Sequence, residues 1–140
     1  MFELNGYATI VTGGARGIGR AIAVALADAG ADVLITYKGN TAAADAVVAE
    51  ITAKGRKAIA MQADAADPDA AVAVVAKAIE AFGKVDLLVN NAGIVDMQSR
   101  LEDMDTARWR RMLDVNIIGS FLGMKAVRGP MRMWAHFFRC

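Results

Sequence analysis

The chain predicts an α/β fold, a doubly wound parallel sheet, on three observations. Apolar runs of strand length alternate with segments of helical period over residues 7–90, and such alternation gives parallel strands joined by right-handed crossovers. A glycine-rich turn joins the first run to the first helical segment. Hydrophobic residues make up 56% of the 140 residues against only two prolines, a balance that suits one compact core and not disorder.

Each element follows from its local pattern. Tyr7 to Val11 reads as a buried strand; Ile18, Ile22 and Leu26 with Ala21, Ala25 and Ala29 then fall on one helical face until Gly30 stops the helix. Val33-Leu34-Ile35 is the second strand, and Ala44, Val47, Val48 and Ile51 recur at i, i+3, i+4 and i+7 before Gly55. Lys57 to Met61 is the third strand. Asp67-Pro68 opens the next helix, aspartate as cap and proline at the first helical position, with Val72, Val75, Ile79 and Phe82 as its expected buried stripe. Residues 85–90 form the fourth strand. From Asp105 a long helix is expected through Trp109, Met112, Leu113, Asn116, Ser120 and Met124. Asn116 on that stripe needs partners to offset its desolvation, either within the core or within a site.

The chemistry concentrates in two turns at the carboxyl ends of the first and fourth strands, where the order of a doubly wound sheet reverses and ligands bind. The first is Thr12-Gly13-Gly14-Ala15-Arg16-Gly17-Ile18-Gly19. Glycines there allow a tight turn and close approach to a pyrophosphate, and the following helix presents N–H groups and a positive dipole end to an anion. A plain packing turn between strand and helix also uses small residues, so this turn alone leaves both readings open. It is neither the commonest G-x-G-x-x-G fingerprint nor a P-loop. The second turn is Asn90-Asn91-Ala92-Gly93.

Composition narrows the partner to a small molecule. A net charge of +1 argues against nucleic acid and against a membrane surface, and no apolar run approaches bilayer-spanning length. Cys140 and His136, the only cysteine and histidine, make neither a disulfide framework nor a metal site. The N-terminus carries Glu3 where a secretory leader carries basic residues, so a cytoplasmic location is expected.

Thr12-Gly13-x-x-x-Gly17-x-Gly19, Asp64 after the third strand, Asn90-Asn91-Ala92-Gly93 and Asp114-Val115-Asn116 stand in the order and spacing of a known family. Over about residues 6–127 the chain resembles the short-chain dehydrogenase/reductases. The resemblance implies a Rossmann-type domain for NAD or NADP, with Gly13, Gly17, Ile18 and Gly19 around the pyrophosphate. It further implies Asp64 at the adenine, Asn91, Ala92 and Gly93 flanking the middle of the cofactor, and Thr12 and Asn90 as structural support. Dinucleotide sites for NAD keep an acid at the end of the second strand for the ribose 2′-OH. Here Tyr37 holds that position, Lys38 follows, and Arg16 lies in the glycine turn; these cations favour the 2′-phosphate of NADP over NAD.

The same resemblance implies catalysis by a tyrosine, a lysine four residues on, a serine and an asparagine. Only Asn116 matches. Tyr7 and Tyr37 are followed four residues later by Val11 and Thr41, Ser99 and Ser120 follow no fifth strand, and Lys125 reads as a solvated charge. Residues 1–127 are therefore expected to be a dinucleotide-binding domain truncated after the fourth strand and the long helix. Residues 128–140, dense in aromatics and cations, read as a non-family tail from truncation or a frameshift. Two functions follow: an oxidoreductase represented by its cofactor half, or a non-catalytic nucleotide-binding module that pairs with an intact homologue. An exposed sheet edge and the long helix would offer surfaces for a homo-oligomer.

Overall fold

The computed structural model describes residues 2–131; His136, Cys140 and the tail from 132 onward lie outside them. Four parallel strands, β1 (Ala8–Val11), β2 (Asp32–Tyr37), β3 (Ala58–Gln62) and β4 (Leu87–Val89), pair in the order β3-β2-β1-β4. The switch between β1 and β4 opens the crevice that the sequence predicts. Strands covered on both faces need apolar side chains on both, and Ile10, Val11, Val33, Leu34 and Ile35 are all essentially inaccessible.

Alternation divides these side chains between two layers. Val11, Val33 and Ile35 face α1 (Gly17–Asp28) and α2 (Thr41–Ala53), where Ala23, Ala27, Ala44, Val47 and Ile51 complete one core. Ile10 and Leu34 face α3 (Pro68–Phe82) and the end of the long helix, through Val74, Val75, Ala78 and Val127. Thr9, the polar residue buried in β1, donates its hydroxyl to the Asp32 carbonyl at 2.9 Å, so its burial leaves no orphan.

Three expectations about buried faces are corrected in part: Ile22 and Leu26 of α1 and Val75 and Phe82 of α3 pack on the cores as expected, and other members of each stripe do not. In α1 the buried residues are Gly19, Ala23 and Ala27, while Ile18 is 75% exposed. In α3 they are Val74, Val75 and Ala78, while Val72 is 62% exposed. The long helix is α4 (Thr106–Leu113), a π-helical turn at Asp114–Ile118, and α5 (Gly119–Val127). It buries Val115, Gly119, Leu122 and Val127, not the stripe through Trp109, Leu113 and Met124. α1, α3 and α5 carry apolar residues on more than one stripe, so period alone does not choose a face; in α1 and at Gly119 and Gly123 of α5, small residues mark where a neighbouring element comes closest. A Cβ on Gly119 would stand 2.9 Å from the Ala65 carbonyl oxygen, and one on Gly123 2.7 Å from Asn90 Oδ1. The stripe read for α2 agrees with its burial at Ala44, Val47 and Ile51.

This assignment of faces has a direct test in urea denaturation. Ile51→Ala, in a closed core, should cost about 2–5 kcal/mol. Ile18→Ala should change stability by no more than about 0.5 kcal/mol; a large loss there would restore the face read from the sequence.

Candidate cofactor site

The glycine turn is held in place by its neighbours on both sides. Thr12 donates its hydroxyl toward the Val89 carbonyl at 3.4 Å, and its Oγ1 accepts the backbone N–H of Asn91 and of Ala92, each at 3.0 Å. The Asn91 side-chain amide returns the link, donating to the carbonyls of Thr12 and Gly13 at 3.0 and 3.1 Å. On the other flank the Gly13 N–H donates to Thr36 Oγ1 at 3.2 Å, and the Gly14 N–H to the Thr36 carbonyl at 2.9 Å. Thr36, the buried polar residue of β2, has no part in the sequence reading; a threonine inside an apolar strand next to the turn was its only signal.

Backbone shape at the turn requires glycine. Gly13 and Gly17 have φ of +66° and +55°, in the left-handed region. Gly19 lies against the turn itself, where a Cβ would stand 2.2 Å from the Gly13 carbonyl oxygen and 2.4 Å from Asn91 Nδ2. Gly17, Ile18 and Gly19 are the first three residues of α1, whose N–H groups have no partner inside the helix. Side chains cap the other α-helices that start from a loop: Asn40 accepts from the Ala43 N–H, Asp67 from Asp69, and Asp105 from Ala107. The cap residue of α1 is Arg16, whose side chain accepts no N–H of the helix, and no acid lies in the first turn. The N–H groups at this end are left without a side-chain cap, the arrangement in which a helix start can accept an anion.

Around the lip of the crevice, Arg16, Tyr37, Lys38, Gly39 and Asn40 line one recess with Gly13. Lys38 does not stand alone there: its Nζ lies 3.0 Å from Asp64 Oδ2, and Arg111 Nη2 approaches the same oxygen at 2.7 Å. Asp64 Oδ1 accepts the Ala66 N–H at 3.0 Å. Burial works to raise the Asp64 pKa, but the Ala66 N–H and the two cations outweigh it and hold the carboxyl at about 2. Arg111 was missed in the sequence because its target lies 47 residues away.

Asn116 sits in the π-helical turn and is exposed, not within the core. Its Oδ1 accepts the Ile94 N–H and its Nδ2 donates to the Ile94 carbonyl, both at 2.8 Å, so its amide clamps the loop that follows β4. A second anchor for that loop is the ion pair of Asp96 with Arg108, whose guanidinium holds the Asp96 carboxyl below its ordinary range. Gly93 lies beneath the clamp; a Cβ there would stand 3.3 Å from Asn116 Oδ1. Asn90 donates to the Ser120 carbonyl at 3.3 Å, joining β4 to α5, and Lys125 is exposed. Among the described residues no cluster of three or more His, Cys, Asp or Glu side chains could hold a metal ion, and no helix is long and apolar enough to cross a membrane.

Comparison with known proteins places this geometry in context. The family model for short chain dehydrogenases matches residues 7–135, running into the segment that the sequence reading sets apart. An uncharacterised oxidoreductase of Methylorubrum extorquens is 44% identical over 126 residues, 90% of this chain and 50% of its own length. The crystal structure of a short chain dehydrogenase from Burkholderia cenocepacia in complex with NADP superposes with a TM-score of 0.89 at 47% identity, over 92% of this chain and 52% of that one. A blue fluorescent protein from a metagenomic library, solved with NADPH, gives 0.87 at 42% identity over 92% and 53%. The chain spans about half the length of the curated relatives it matches.

The Thr12 hydroxyl is the testable joint of the site. Thr12→Val keeps the shape but leaves the Asn91 and Ala92 N–H groups without their acceptor, which should cost about 1–3 kcal/mol. Amide exchange at those two residues should speed up, and Thr12→Ser should reverse both effects.

Proposed function

The chain belongs to the short-chain dehydrogenase family, and on that premise we propose that it is the dinucleotide-binding half of an NADP-dependent oxidoreductase acting on an alcohol or a carbonyl. The observation that carries this reading is the start of α1. A helix that opens on a glycine turn, with an arginine at its cap and no acid in its first turn, is suited to a pyrophosphate. Gly13, Gly17, Ile18 and Gly19 would surround it. Asp64 would meet the adenine, and Asn91, Ala92 and Gly93 would line the middle of the cofactor, with Asn91 acting through its hold on the turn. Arg16 and Lys38 supply the positive lip for a 2′-phosphate, and Tyr37 leaves no carboxylate to repel it.

When bound, the nicotinamide supplies hydride transfer. The residues of this chain bind and orient; they do not complete the proton chemistry. Reduction of a carbonyl leaves charge on the substrate oxygen, and a placed acid contributes about 10²–10⁴-fold by protonating it. The sequence holds no Tyr-x-x-x-Lys for that task. Asn116, its side chain engaged with Ile94, enters the reading as the residue that shapes the substrate-side loop.

A second reading, a non-catalytic nucleotide-binding module that pairs with an intact homologue or with itself, is favoured by one surface. Leu113, Ile117, Phe121 and Met124 are exposed along the long helix, at 37%, 60%, 56% and 55%. β4 lies at the edge of the four-stranded sheet. Sedimentation of the 140-residue chain, alone and mixed with an intact homologue, separates the two readings, since only the second requires a complex; the cytoplasmic setting expected from the sequence is compatible with both.

Fluorescence titration with each cofactor tests the NADP preference. Lys38→Ala and Arg16→Ala should each weaken NADPH about tenfold, the low end for charge-assisted bonds because Lys38 must first leave Asp64, and leave NADH unchanged. Tighter NADH binding, indifferent to both substitutions, would remove the preference. Assays of the 140-residue chain with NADPH and a panel of ketones should show only background; turnover abolished by Asn116→Ala would overturn the proposed lack of a proton donor.

A further inference from the structure

Two cations converge on one oxygen of Asp64, and they differ in kind. Lys38 is 64% exposed in its side chain, on a flexible stem at the end of β2, whereas Arg111 is 37% exposed and anchored in α4. Asp64 lies between them at 34%, its other oxygen committed to the Ala66 N–H. The cluster of one carboxylate and two cations therefore carries a net positive charge, and only its lysine borders the recess that Arg16 and Tyr37 line.

We propose that Arg111 is a positioning residue that sets cofactor selectivity by holding the charge of Asp64, which releases Lys38 to a phosphate group on the adenosine ribose. The proposal rests on the NADP reading above. With both cations in place, Lys38 leaves Asp64 without stranding a carboxylate charge, because the Arg111 guanidinium remains 2.7 Å from the same oxygen. Without Arg111, Asp64 and Lys38 form a closed neutral pair. An incoming dianion then has to break that pair and meets an uncompensated carboxylate beside it. NADH carries no 2′-phosphate, makes no such demand on Lys38, and is affected little. Arg111 thus acts on selectivity without touching the phosphate, and its effect has to pass through Asp64.

The ratio of NADH to NADPH dissociation constants, measured by fluorescence titration of the 140-residue chain, reads this coupling. Arg111→Met should lower the ratio about fivefold, the scale of one exposed charge pair, chiefly by weakening NADPH, and Arg111→Lys should restore it. Asp64→Asn alone should raise the ratio by freeing Lys38, and Arg111→Met added to Asp64→Asn should have no further effect. Independently of any cofactor, the Asp64 carboxyl followed by NMR should titrate at a higher pH in Arg111→Met than in the parent chain. A ratio unmoved by Arg111→Met overturns the proposal. So does an equal fall in the Asp64→Asn background, which would place Arg111 on the phosphate directly. A ratio that Lys38→Ala leaves unmoved overturns the NADP reading and this inference together; one that Lys38→Ala moves and Arg111→Met does not overturns this inference alone.

Discussion

The hydroxyl of Thr12 joins the two turns on which the crevice depends. One oxygen accepts two backbone N–H groups from the chain that follows β4, at 3.0 Å each, while the backbone of Thr12 donates to Val89. Chain leaving neighbouring parallel strands has no ladder to satisfy its polar groups, and buried groups left unpaired are costly. A short side chain with two lone pairs and a donor solves this within one residue. Asn91 closes the arrangement from the opposite side, and Thr36 fixes the far flank.

That stitching decides what the start of α1 can do. A glycine turn free to move would collapse onto its own N–H groups or present them at random, and ordering it would cost conformational entropy at the moment of binding. Here the turn is already fastened to β2 and β4, so the N–H groups of Gly17, Ile18 and Gly19 point from a rigid base. The tightness of the site, with Gly19 pressed on the Gly13 carbonyl, is the counterpart of that rigidity. Asp64, just after β3, raises a second electrostatic demand, because an uncompensated acid beside a polyanion is repulsive. The ion pairs of Asp64 with Lys38 and Arg111 meet it in the structure itself.

The loop after β4 is organised by a different device. The π-helical turn that interrupts the long helix carries Asn116 to the loop after β4, and such turns recur at functional sites. Asn116 and Ile94 exchange two hydrogen bonds of equal length, which ties helix and loop into one unit. In the NADP-bound relative the aligned region is 52% of the chain.

Element order, the sheet's switch point, the two turns and the family were legible in the sequence because each rests on local chemistry: glycine where φ is positive, apolar runs where both faces are covered, caps at helix starts. Ala44, Val47 and Ile51 of α2 were legible from their spacing at i, i+3 and i+7. The buried faces of α1, α3 and the long helix were legible only in part, because apolar residues occupy more than one stripe of α1, α3 and α5 and only the approach of a neighbouring element selects between them. The clamp of Asn116 on Ile94, the part played by Thr36, and the convergence of Lys38 and Arg111 on Asp64 were decided by tertiary structure alone. Each joins residues 22 to 47 positions apart, and a sequence read locally carries the chemistry of each partner without the distance between them.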